Sequence, residues 1–150
     1  MTTPPYLSSG DKVGVVSTAK FTEAHEIEYG IATLKSWELE PVVGSNAFNE
    51  FGFLAGTDTE RLADLQQMLD DENIKAIFFT KGGYGTLRII DAIHLTKFRQ
   101  HPKWLVGYSD ITLLHCHVHN FGIETLHSVM LQGYPKSTPE ALKSIHSVLF

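Results

Sequence analysis

The stretch Ile74-Lys75-Ala76-Ile77-Phe78-Phe79-Thr80 constrains the fold more than any other part of the chain. Its near-continuous apolar run suits a strand covered on both faces, the situation of a central strand in a parallel sheet. Lys81-Gly82-Gly83-Tyr84-Gly85-Thr86 follows directly, and then a helical pattern through Leu87, Ile90 and Ile93. A strand, a short glycine-rich turn and a helix make one half of a parallel crossover.

The same alternation runs through the rest of the chain. Lys12 to Ser17 reads as a first strand after the turn signal Gly10-Asp11, and Ser17-Thr18-Ala19 sets small polar groups at its carboxyl end, facing the expected crevice. From Glu23 to about Trp37, Ala24, Ile27, Ile31 and Leu34 recur at helical spacing, with Gly30 costing about 1 kcal/mol relative to alanine. Leu39 to Val43 reads as a second strand, ended by Gly44. Asn46 to Gly56 has no period, but Phe48, Phe51, Phe53 and Leu54 make it a loop packed over the domain. Thr57-Asp58-Thr59-Glu60 is a capping box for a helix carrying Leu62, Leu65, Met68 and Leu69, which ends at Asp70-Asp71-Glu72-Asn73. Trp104 to Tyr108 is the fourth strand, Asp110 to Asn120 a helix, and Gly122 to Leu126 a short fifth strand. Thr138 and Pro139 open a last helix with Ala141, Leu142, Ile145 and Leu149 on its apolar face. The pattern predicts an α/β fold: a doubly wound, mostly parallel sheet with flanking helices, in one domain over 1–150. The last helix runs to Phe150 with no glycine, proline or polar tail, from which a continuation of the chain is expected.

Composition removes several functions. A globular core is expected from 43% hydrophobic and 19% charged residues. The formal net charge of −5 and the lack of a basic run argue against nucleic acid and anionic membranes as partners. No apolar run is long enough to span a bilayer, and Met1-Thr2-Thr3-Pro4-Pro5 has no signal-peptide character, so a cytoplasmic location is expected. Cys116 is the single cysteine and forms no intrachain disulfide.

Three stretches could carry chemistry. In Trp104-Leu105-Val106-Gly107-Tyr108-Ser109-Asp110-Ile111-Thr112, Ser109 falls where a strand ends and a helix begins, the position at which open α/β sheets bind ligands. Its hydroxyl is either a helix N-cap or a nucleophile held above the sheet, with the Asp110 amide aimed at a developing oxyanion. The pattern Gly-x-Ser-x-Gly is not met, because Ile111 stands at the second glycine. The loop Lys81 to Thr86 fits neither a Walker motif nor the dinucleotide fingerprint, yet its glycines can bring backbone amides close to an anion, flanked by Lys81 and Arg88. His115 and His119 share a helical face at metal-compatible spacing, but no further ligand pair accompanies them, so no metal is assigned.

Taken together, Phe78 to Asp91 and Gly107 to Thr112 resemble the LD-carboxypeptidase family, the murein tetrapeptide carboxypeptidases and their microcin-immunity relatives. Gly10 to Ser17 and Gly52 to Arg61 are similar to the same family, so the likeness covers nearly the whole chain. The resemblance implies a flavodoxin-like N-terminal domain followed by a β-rich C-terminal domain that this chain does not include. It implies a serine carboxypeptidase that releases the terminal D-alanine of muropeptide tetrapeptides in cell-wall recycling, with no cofactor, acting as a homodimer. Ser109 would be the nucleophile, and the backbone amides of Asp110 and Gly83 (or Gly82) the oxyanion hole. Gly82, Tyr84 and Arg88 would touch substrate, with Arg88 near its carboxylate. The family's glutamate and histidine partners lie in the C-terminal domain, so this chain alone is expected to be inactive. His127-Ser128-Val129-Met130 departs from the Gly-Pro that many relatives carry after the histidine. The competing readings are a non-catalytic module that holds an anion at Lys81 to Thr86, and an interaction domain.

Overall fold

The computed structural model describes residues 1–150. Its centre is a five-stranded, all-parallel sheet in the order β2-β1-β3-β4-β5. The strands are β1 (Lys12–Val16), β2 (Glu40–Val43), β3 (Ile74–Phe79), β4 (Trp104–Gly107) and β5 (Leu126–His127). The helices are α1 (Ala24–Ser36), α2 (Asp58–Asp70), α3 (Thr86–Ile89), α4 (Thr96–Gln100), α5 (Thr112–His119) and α6 (Pro139–Leu149).

β3 lies at the middle, as its apolar run predicts, and its side chains divide between two cores. Ile77 and Phe79 join Leu65, Met68, Phe98, Leu105 and Leu114 on the face covered by α2 to α5. Ala76 and Phe78 join Ile27, Leu34, Val106, Tyr134 and Leu149 on the face covered by α1 and α6. The period-two alternation of a strand therefore feeds both layers, and each apolar face removed from water stabilises at roughly 25 cal/mol per Å².

Helix starts follow the sequence signals. The Thr57 hydroxyl accepts the Glu60 N–H at 3.3 Å and the Glu60 carboxylate accepts the Thr57 N–H at 2.7 Å, so the capping box is complete. Thr138 accepts the Ala141 N–H at 3.2 Å with Pro139 in the first turn.

Three elements differ from expectation. The helix predicted through Ile93 stops at Ile89 and tightens into a 3-10 turn over Ile90–Ala92, because the chain must turn to bury Ile93 and Leu95. The helix predicted from Asp110 starts at Thr112 behind a 3-10 turn, Ser109–Ile111. The fifth strand is displaced to Leu126–His127, and Ile123 makes only an isolated bridge to Thr2. Two elements escaped the sequence reading: α4, and a 3-10 stretch over Leu131–Lys136 that packs on α1.

The strand order places the topological switch between β1 and β3. The chain leaves β1 toward α1 on one face and leaves β3 toward α3 on the other, which opens a crevice above the carboxyl ends of these strands.

Candidate functional site

Ser109 stands at the mouth of this crevice, at the end of β4. Its φ is +58°, the left-handed region that costs an L-residue free energy and that serine seldom adopts. The hydroxyl caps neither the 3-10 turn nor α5, so the N-cap alternative is excluded by the geometry. The residue that ties the turn down is Asp110, whose Oδ2 accepts the Thr86 N–H at 2.9 Å. The serine is exposed at the carboxyl end of β4, with its Oγ on the side of Gly82.

The glycine loop faces it. A Cβ added to Gly82 would lie 3.1 Å from Ser109 Oγ and 3.2 Å from the Met130 methyl, so the glycine lets the loop approach the serine without displacing either side chain. Gly83 has φ +117°. The Gly82 carbonyl accepts the Lys20 N–H at 3.3 Å. The peptide that joins Gly82 to Gly83 is trans, so the Gly83 N–H points away from Lys20 and remains available to an anion.

Two adjoining cavities meet over this loop. One, of about 280 Å³, is lined by Lys20, Gly82, Gly83, Ser109 and Met130 among others. The other, of about 430 Å³, extends toward Glu26, Gly133 and Lys136. Lys81, Gly82, Tyr108, Met130 and Gln132 line both.

The polar floor differs from the sequence expectation. Ser17 and Thr18 do not face the crevice; both are buried beneath it. Ser17 donates to the Ala47 carbonyl at 2.7 Å and therefore accepts from Thr80, also at 2.7 Å, while the Thr18 and Thr86 hydroxyls pair at 2.9 Å. These bonds join the end of β1 to the end of β3 and to the start of α3, the two ends of the glycine loop, and support it from below.

Sequence reasoning missed a network centred on Glu26. Its Oε1 accepts Gln132 Nε2 at 2.6 Å and Lys81 Nζ at 3.1 Å. Its Oε2 accepts the Thr22 hydroxyl at 2.9 Å, the Glu23 N–H at 2.9 Å and Lys81 Nζ at 3.0 Å. Burial pushes the Glu26 carboxyl up, but the Glu23 amide, Lys81 and Thr22 outweigh it and hold the pKa at about 2. The ion pair fixes Lys81, the residue next to the glycine loop. Residues 26, 81 and 132 are far apart in sequence, and no local signal links them.

Arg88, expected near a substrate carboxylate, is closed on Asp58 through Nε at 2.8 Å and Nη2 at 2.7 Å, and it lines neither cavity. Asp58 also accepts from the buried Arg61, whose other donors reach the Thr18 and Gly56 carbonyls. Tyr84 is exposed and packs against Phe53 with ring centroids 6.4 Å apart. His115 turns inward and donates Nε2–H to the Gly107 carbonyl at 2.9 Å; burial lowers its pKa, against the opposing effect of that hydrogen bond. His119 is exposed, and no group of three or more His, Cys, Asp or Glu side chains converges.

The class of domain is an open, all-parallel α/β sheet with a serine in the left-handed region at the end of β4, faced by a glycine loop. The chain belongs to the peptidase S66 family, and residues 13–128 match its LD-carboxypeptidase N-terminal domain. It is 40% identical over 144 residues to the Bacillus subtilis protein named "Probable murein peptide carboxypeptidase", covering 95% of this chain and 44% of that one. It is 30% identical over 128 residues to the murein tetrapeptide carboxypeptidase of Pseudomonas aeruginosa, covering 78% and 42%. The fold matches the crystal structure of an MccF-like protein from Bacillus anthracis with a TM-score of 0.91 at 22% identity, over 99% of this chain and 47% of that one. It also matches muramoyltetrapeptide carboxypeptidase from Oxalobacter formigenes, with a TM-score of 0.72 at 21% identity over 81% and 40%. The chain thus spans less than half the length of these relatives. No helix is long and apolar enough to cross a membrane.

Proposed function

We propose that the full-length protein is a serine-type LD-carboxypeptidase that releases the terminal D-alanine of muropeptide tetrapeptides during cell-wall recycling in the cytoplasm, acting as a homodimer. Ser109 is the nucleophile. The observation that carries the reading is its left-handed, uncapped conformation directly beneath Gly82. Family membership and the names of the relatives support the substrate class.

In this reading a histidine outside residues 1–150 removes the Ser109 proton, and a glutamate, also outside them, orients that histidine. Ser109 Oγ attacks the carbonyl of the third residue. The Gly83 amide, or that of Gly82, and the Asp110 amide hold the oxyanion; preorganised donors of this kind contribute about 3–4 kcal/mol each. The tetrahedral intermediate collapses, the protonated amine of D-alanine leaves, and water hydrolyses the acyl-enzyme. Gly82 and Tyr84 flank the bound peptide, while Arg88 acts at a distance by holding Asp58. A serine without its base is a weak nucleophile, so residues 1–150 alone have negligible activity.

The test is D-alanine release from a muropeptide tetrapeptide by the full-length protein beside its Ser109→Ala variant. Release that disappears in the variant supports the proposal. No release from folded wild type, together with phosphate binding at Lys81 to Thr86 that survives Ser109→Ala, would replace it with the anion-binding module.

A further inference from the structure

A carboxypeptidase cuts next to a free carboxylate, and that charge must be received. In the leaving residue the carboxylate carbon stands three bonds from the scissile carbonyl carbon, through the nitrogen and Cα, a span of under about 4 Å. A cation that reads it must therefore stand beside the amide that holds the carbonyl oxygen.

Three lysines and one glutamate line the two cavities, and Arg88 stands outside them. Arg88 is spent on Asp58 in a bidentate pair. Lys81 is spent on Glu26, whose two oxygens already accept from Gln132, Thr22 and the Glu23 amide as well. Glu26 thus cancels Lys81, and its own acceptor capacity is taken up. Lys136 lies in the larger cavity, which Ser109 does not line. Lys20 remains. It is exposed, and its ammonium forms no ion pair. It shares a cavity with Ser109, Gly82 and Gly83. Its Cβ lies 3.0 Å, and its Cδ 3.8 Å, from the point where a Gly83 Cβ would stand. The stem therefore runs along Gly83, and its own backbone N–H orients the Gly82 carbonyl.

We infer that Lys20 receives the substrate's C-terminal carboxylate and so restricts the site to the last peptide bond. The inference rests on the serine-carboxypeptidase reading of Ser109. A lysine suits the task because its ammonium is a mobile point charge that reaches a carboxylate without demanding one geometry. The same residue has two roles: its main chain sets the glycine loop and its side chain selects the acid.

The experiment compares the full-length wild type, Lys20→Met and Lys20→Arg on one tetrapeptide and on its C-terminal amide. Loss of a charge-assisted contact lowers kcat/KM for the free acid by about 10- to 100-fold, mainly through KM, and Lys20→Arg recovers part of it. The fall on the amide is about ten-fold smaller, because the amide offers no charge to lose. Covalent labelling of Ser109 by a serine-directed probe persists in Lys20→Met, which shows that the fold and nucleophile are intact. An active wild type whose preference for the acid survives Lys20→Met overturns the inference alone, as does a preference abolished only by Lys136→Met. A folded wild type that cuts neither peptide overturns the carboxypeptidase reading and the role of Lys20 with it.

Discussion

Asp110 Oδ2 accepts the Thr86 N–H at 2.9 Å, which ties the turn after β4 to the loop after β3 across 24 residues. The side chain directly after the serine thus fixes the separation between Ser109 and the glycines that face it. The main-chain amide of Asp110 stays free to act on a different partner. Removing the carboxylate in Asp110→Ala leaves the Thr86 amide unsatisfied and costs about 1–2 kcal/mol. For a chain of this length that corresponds to a fall in Tm of about 2–8 °C, and thermal unfolding of the variant beside wild type measures it.

Gly82→Ala separates the site from the scaffold. The added Cβ would meet Ser109 Oγ at 3.1 Å and the flexible end of Met130 at 3.2 Å, and the loop must shift by a few tenths of an ångström. On the proposed mechanism, donors displaced from a developing oxyanion lose much of their value, and the D-alanine release proposed for the full-length protein then falls about 100-fold. The unfolding midpoint moves far less, because the contact is made at the rim of the crevice. Kinetics and denaturant unfolding of the same preparation check both halves.

Glu26 gives stability a specific dependence on acid. Its carboxyl has a pKa of about 2 in the fold against an ordinary value of 4.5. Between these values the unfolded chain binds the proton and the folded chain does not. The contribution is fully present above the ordinary value and is lost as pH falls toward 2. Glu26→Gln removes this component, so its stability depends less steeply on pH in that window than wild type. Denaturant midpoints taken from pH 5 down to the acid limit of the folded state decide it. The same slope in both proteins would show that the Lys81 and Thr22 contacts do not hold the carboxylate in solution.

Tyr134 is fully buried, and its hydroxyl has no hydrogen-bond partner. Burial raises its pKa. A buried donor without a partner is a net cost, so Tyr134→Phe keeps the ring packing against Trp37 and stabilises by up to about 1 kcal/mol. A rise in the urea midpoint with an unchanged m-value is the expected result.

Local physics carried much of the fold. The apolar run of β3, the helical stripe of α1, the capping box at Thr57 and the Thr138-Pro139 start need only neighbours in sequence to define them, and all appear where their residues predict. The elements that shifted are those whose ends depend on distant packing. α3 breaks because Ile93 and Leu95 have a core to reach. β5 shortens because it pairs only with Val106 and Gly107.

The candidate site divides in the same way. The glycine loop and the strand-to-helix serine were legible by themselves, because φ-permissive residues and strand ends leave a signal in the sequence. Whether Ser109 caps a helix or stands free was decided by its backbone torsion, which the residue type leaves open. The charges around it were decided by tertiary structure alone. Glu26 meets Lys81 and Gln132 across 55 and 106 residues, and Arg88 meets Asp58 across 30. A charged side chain can pair with any opposite charge the fold brings near, so sequence shows which charges exist and only the folded chain shows which, like that of Lys20, are left over.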